Sequence, residues 1–269
     1  MNLLRLEVRR ALRRRAVIVL LALAVVGCVV FGAAVLLSSA GEPLAQLRSD
    51  AHPAVVASWW DVDRSEGLPQ FASLFLIVGA VIAGAAVAGG EWKYGTVTAA
   101  LTWEPRRHRL LAARFGAAAL VAGSVAIALQ LLLMLAAFPG ALANGSTATP
   151  GRGWWGALAL AVLRAALLTI VAALIAEAIA TVGRSTAAGV IATFVWVAVL
   201  EGLVRGLRPR LARFLWAENV ATVLPWASPR TEEFQRGPLT ALVTIGIYVT
   251  AFLVVAFTTF QRRDVAGAT

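Results

Sequence analysis

The residues nearest to a reactive arrangement are Asp61 and Asp63, separated by one position. Two carboxylates at that spacing can hold a divalent cation and, through it, a diphosphate. They neighbour Trp59-Trp60 in a polar stretch, where acids are ordinarily solvated. His52 and His108 lie far apart without cysteine companions, so no metal ligand set forms around either. Cys28 is the single cysteine; it excludes an internal disulfide and reads as a small side chain in an apolar run. A phosphate-binding loop needs a glycine-rich turn ending in Gly-Lys-Ser/Thr, but the only lysine, Lys93, precedes Tyr94. The chain therefore shows no ATP site, and no catalytic residue or bound metal is expected of it.

Other residues carry charge where charge is expensive. Arg164 and Glu177 stand inside an apolar stretch, where each costs about 2.5–3.5 kcal/mol to insert. Thirteen positions separate them, about 1300° of rotation at 3.6 residues per turn, which places them on nearly opposite helix faces. Arg164 is expected to snorkel outward, and Glu201 to do the same near the end of another run. Glu177 is expected to touch a neighbouring helix or a transport path, and Gln130 to hydrogen-bond across helices. Ala80-Gly84-Ala88 and Ala119-Gly123 have the four-residue spacing that permits close helix approach.

The elements that must carry these residues follow from composition. Sixty per cent of the 269 residues are hydrophobic, against the 45–50% usual in soluble domains. The apolar residues cluster into six runs, at 16–37, 71–90, 115–138, 157–183, 186–204 and 239–260. A hydrocarbon core of about 30 Å needs roughly 20 apolar residues, and a backbone in lipid must satisfy its own hydrogen bonds, so each run is predicted to be a spanning helix. The fourth and fifth are joined by Gly183-Arg184-Ser185, a tight hairpin. The first run has a basic front and Ser38-Ser39-Ala40 behind it, but 22 apolar residues exceed the 7–15 of a signal h-region, so it is expected to be retained. One membrane domain, 1–269, is predicted, all-α and polytopic.

The net charge of +10 lies mainly in arginines, and these set orientation. With the N-terminus in the cytoplasm, the inner segments collect Arg5, Arg9, Arg10, Arg13, Arg14, Arg15, Lys93, Arg106, Arg107, Arg109, Arg114, Arg184, Arg262 and Arg263. The first outer loop is then acidic, with Glu42, Asp50, Asp61, Asp63 and Glu66. The last outer loop, with Arg205, Arg208, Arg210, Arg213, Arg230 and Arg236, opposes this placement but is outweighed by the N-terminal cluster. Both termini are expected inside. Leu203, Leu207, Leu211 and Leu215 suggest an amphipathic or re-entrant outer segment bent at Pro209. Residues 1–15 are amphipathic as well, an elbow helix at the inner interface whose arginines meet anionic headgroups. The tryptophans at 59–60, 154–155, 216 and 226 suit the interfacial layers.

Between the second and third runs, 91–114 form a loop of mixed charge. Gly95 can turn, Thr96 can cap a short helix over Val97 to Trp103, and Pro105 should end it. Trp92, Tyr94 and Trp103 flanked by charge have the character of interface anchors. Glu91, Gly95-Thr96, Leu101, Pro105-Arg106-Arg107 and Arg109 to Arg114 together resemble the loop of the ABC-2 type transporter permeases. Phe260-Gln261-Arg262-Arg263-Asp264-Val265 is similar to that family's ending. Ala100, where a second leucine is common, and His108, which interrupts the basic run, depart from the pattern.

The resemblance implies an ABC-2 exporter fold with a coupling helix that docks on separate ATP-binding cassette subunits, which would hold ATP and Mg. It implies a second copy or a related permease as partner, membrane lipids around it, no nucleic acid, and the bacterial inner membrane. On this view Glu91, Trp92, Tyr94, Gly95, Thr96, Leu101, Trp103, Pro105, Arg106 and Arg107 meet the ATPase. Phe71, Phe75, Phe194, Trp196 and Glu177 would line the path of an apolar or amphipathic cargo such as a drug, antibiotic, peptide or lipid. Two other readings stay open: an integral-membrane enzyme for a lipid-linked substrate, resting on Asp61 and Asp63, and a non-transporting immunity or sensor component.

Overall fold

Eleven α-helices and one short hairpin make up the computed structural model, which describes residues 3–226 and 237–262. Arg230, Arg236 and the closing Arg263-Asp264-Val265 lie outside the described residues. Helix α1 (Leu3–Leu12) precedes α2 (Arg15–Ser38), and α3 (Leu44–Ser49) leads to strands β1 (Trp60–Asp61) and β2 (Glu66–Gly67). There follow α4 (Leu68–Lys93), α5 (Thr96–Trp103), α6 (Arg107–Ala143) and α7 (Arg152–Gly183). The chain closes with α8 (Thr186–Phe194), α9 (Glu201–Leu207), α10 (Trp216–Val223) and α11 (Pro238–Arg262). Helices α2, α4, α6, α7 and α11 are long and apolar enough to cross a membrane, as is the continuous stretch Thr186–Leu207, in which a π-helical segment, Val195–Leu200, joins α8 to α9. The protein is an all-α, multi-pass membrane protein.

These six correspond to the six apolar runs, with one marked difference of length. Helix α6 has 37 residues because it begins in the basic segment at Arg107, before the apolar part, and continues through Pro139. Helix α7 sits centrally and packs on α4, α6, α8 and α11. Its seam with α4 is made of small side chains: Ala80, Ala85 and Ala88 face Ala172, Ala173, Ala176 and Ala180. Gly84 lies so close to the Ala173 carbonyl that any Cβ there would collide with it, and Gly32 of α2 approaches the Ala136 carbonyl of α6 in the same way. Lipid tails are as apolar as leucine, so helices gain little from hiding leucines and much from bringing backbones together. The predicted small-residue spacing in α4 is used at this seam, and Gln130 donates to the Val162 carbonyl of α7 at 3.3 Å as expected.

Six crossings bring α1 and the end of α11 to one end of the bundle, with α5 and the α7–α8 turn. The opposite end carries α3, the β1–β2 hairpin, α9 and α10. Here several expectations change. Trp59, Trp60, Trp154 and Trp216 are buried in protein rather than spread along an interface. The Trp154 indole donates to the Trp60 carbonyl and that of Trp59 to the Pro53 carbonyl, both at 2.7 Å. Trp155 and Trp226 stay exposed. The leucine-spaced segment breaks at Pro209, as predicted, into α9, a 3-10 turn and α10. Glu201 does not snorkel. It is buried, and its two carboxylate oxygens accept the Trp216 and Ala217 N–H groups at 2.7 and 2.9 Å, holding the first turn of α10. A carboxylate there satisfies orphan donors and faces the positive end of the helix dipole.

Candidate functional site

The densest chemistry among the described residues lies at the termini-bearing end, around Glu91. Helix α4 delivers this residue in its last turn, 1% exposed. One carboxylate oxygen takes the Arg14 guanidinium at 3.3 Å and that of Arg10 at 3.7 Å. The other meets Arg114 of α6, 6% exposed, as an ion pair rather than a directed hydrogen bond. Arg10 also binds Glu7 at 3.0 Å. Glu177 of α7 is equally buried, and its Oε2 has no hydrogen-bond partner. Two carboxylates, Glu7 and Glu91, thus meet three guanidiniums at a junction of α1, the α1–α2 link, α4 and α6. Charge inside a membrane protein is tolerated when paired in this way.

Beyond Glu91 the chain turns. Gly95 adopts a left-handed conformation, φ 63° and ψ 12°, which a Cβ would oppose. Gly95, not Thr96, is the residue flanking α5; the Thr96 hydroxyl donates back to the Glu91 carbonyl at 3.4 Å. The helix stops at Trp103, two residues before Pro105, as predicted. Its Val97 is 2% exposed and wedges among Leu111, Phe115, Ala178, Ala256 and Phe260, so one face of α5 is fixed to α6, α7 and α11. Glu104 accepts the Arg106 N–H at 3.3 Å and pairs with Arg109 at 3.7 Å, organising the start of α6. Arg107 donates to the Phe260 and Gln261 carbonyls at 3.4 and 3.2 Å, satisfying the last turn of α11.

The predicted docking residues divide in two. Glu91 is buried in the ion cluster, and Trp92 packs edge-on against Phe260 with Arg184 over its ring at 4.8 Å, so both position the loop instead of offering it. Leu101 is half-buried and Arg107 is turned to α11. The open surface consists of Tyr94, Gly95, Thr96, Trp103, Pro105 and Arg106. Trp103 is 91% exposed, more than any other large apolar side chain among the described residues.

The predicted path residues do not form one site. Phe71 and Phe75 meet edge to face and Phe71 stacks on Phe31 of α2, with centroids 5.3 and 6.1 Å apart. Trp196 belongs to a different cluster, with Trp216, Tyr248 and Phe252. Phe194 is exposed on α8, and Glu177 is buried within α7. Arg164 does reach toward the opposite end, where it lies between Trp60 and Trp226 at 5.9 and 5.6 Å and donates to the Leu224 carbonyl at 3.4 Å. Asp61 spends its carboxylate on its own turn, accepting the Asp63 and Arg64 N–H groups at 2.9 Å. No group of three or more His, Cys, Asp or Glu side chains that could hold a metal occurs among the described residues.

Arg10, Arg14 and Arg114 were legible in sequence as topology signals only; nothing in their spacing marked them as ligands of Glu91. The chain matches no protein-family model and no curated protein.

Proposed function

We propose that this chain is the membrane-spanning half of an ATP-driven exporter of the ABC-2 permease type. It would move an apolar or amphipathic substrate out of the cytoplasm or inner leaflet of a bacterial inner membrane. The termini-bearing end is the cytoplasmic one in this reading, and separate ATP-binding subunits dock on α5, two with a pair of permease halves. The observation that carries the reading is Trp103: a large indole left 91% exposed on a short helix whose other face is pinned into the bundle by Val97. An exposed aromatic on a rigid platform is what a buried interface anchor looks like before its partner arrives. A push on α5 would pass through Val97 to α6, α7 and α11, and through Glu91 to α1. ATP and Mg belong to the partner.

The test is co-purification of the ATP-binding subunit with Trp103→Ala/Tyr94→Ala. Loss of two anchors worth about 1 kcal/mol or more each is expected to weaken recovery about thirtyfold or more. Trp155→Ala, exposed at the opposite end, should leave recovery unchanged. Equal recovery from both variants would sink the proposal.

A further inference from the structure

Helices α2 and α4 pack closely on α6 and α7 respectively but touch each other little. Between them lies a slot of about 560 Å³, floored by α6 and α7 and open sideways along the bundle. It is barred at both ends. At one, Phe31 stacks on Phe71 with centroids 6.1 Å apart; at the other, Arg14 of the α1–α2 link holds Glu91 at 3.3 Å. Along α2 the lining runs from Val17 to Phe31, about 21 Å at 1.5 Å per residue.

We propose that this slot binds one acyl chain of a bilayer phospholipid, with the headgroup at the termini-bearing end. Four observations lead there, and none depends on the exporter reading. The lining offers nothing to hydrogen-bond: its one hydroxyl, Thr169, donates to the Ala165 carbonyl at 2.7 Å, and Cys28 turns toward the Leu129 carbonyl. A ligand matched to such a surface is a hydrocarbon. The two end bars admit only a group that slides in sideways and has a free end inside the bilayer. A lipid tail has one; a spanning helix of a second copy does not.

The glycines give the third argument. Gly32 and Gly84 are required by backbone contacts, but Gly27 and Gly79 line the slot with nothing within 4 Å of where a Cβ would stand. No packing in the protein needs a glycine at either position, and each keeps the slot wide. Finally, Arg13 and Arg15 are exposed within a turn of Val17, at the mouth where an anionic headgroup would lie.

The test purifies the full chain in mild detergent and weighs it by native mass spectrometry. The wild type is expected to retain phospholipid; Gly27→Leu/Gly79→Leu, which fills the slot without touching backbone, should retain about fifteen- to fiftyfold less, the cost of displacing two or three buried methylenes. Gly246→Leu, which also meets open space but lies outside the slot, should behave as wild type. In parallel, a phospholipid carrying a photoreactive group in its tail should label peptides spanning 17–31 and 71–87 of the wild type, a readout that does not depend on how the variants fold. Equal retention by all three proteins overturns the proposal. So does labelling confined to other helices, a retained mass that is not a phospholipid, or a dimer lost in the leucine variant, which would make the slot a contact between copies.

Discussion

A carboxylate buried among helices must be met by cations, and Glu91 has Arg10, Arg14 and Arg114 around it. Removing one member of a buried pair leaves the other uncompensated, at a cost of about 3–5 kcal/mol. Glu91→Met and Arg114→Met are each expected to lower stability in detergent by that order. The double variant should cost less than the two together by about 1–3 kcal/mol, since contacting residues are not additive. Strict additivity in denaturant melts would show that the pair carries no coupling. Glu201 makes a sharper case at the opposite end, where Glu201→Gln keeps one acceptor and Glu201→Ala keeps neither. The alanine variant should lose about 2 kcal/mol and the glutamine variant clearly less; equal losses would mean that packing, not capping, holds α10. At this scale the sequence was legible one charge at a time. It marked Arg164, Glu177 and Glu201 as costly, but a partner supplied by another helix leaves no trace in local spacing. The Glu91 cluster draws on three helices and the α1–α2 link, so its chemistry was invisible even though every member was in view.

Helix α5 was legible for a different reason: it is short, local and punctuated. Gly95 and Pro105 bound it as their backbone restrictions require. The one displaced detail, Thr96 inside the helix instead of capping it, follows from Gly95 already making the turn. What periodicity could not reveal was which face is buried, because α5 has only Val97 driven fully into the bundle. That single wedge has a consequence. Val97→Asp puts a carboxylate among Leu111, Phe115 and Phe260 and is expected to release α5. Trypsin cleavage after Lys93 should then accelerate about tenfold, the factor that corresponds to 1.4 kcal/mol of easier local opening. Gly95→Ala, strained by about 1 kcal/mol at φ 63° but free of any clash, should accelerate cleavage less. Unchanged cleavage in Val97→Asp would mean that α5 is held from elsewhere.

Across the whole molecule the six spans were the most legible feature, because a 30 Å hydrocarbon layer imposes length and composition on every helix that crosses it. The slot was the least legible, since a gap is defined by what four separate helices leave unfilled, and Gly27 and Gly79 look in sequence like any other small residues. Its importance at this scale is that Glu91 belongs to two structures at once. Its carbonyl accepts the Thr96 hydroxyl at the start of α5, and through Arg14 its carboxylate bars one end of the slot. The two ends of that connection can be separated by substitution. Trp103→Ala removes exposed surface alone, so it should lower recovery of the proposed ATP-binding partner and leave phospholipid retention as it was. Gly27→Leu/Gly79→Leu should do the reverse at the first step, emptying the slot while α5 stays in place. Glu91→Gln weakens the bar and the platform together and is expected to lower both readouts in one protein. Measuring all three variants in the same preparation decides whether the buried carboxylate joins the slot to the surface: a Glu91→Gln protein that loses one property and keeps the other would break that link, whichever property it kept.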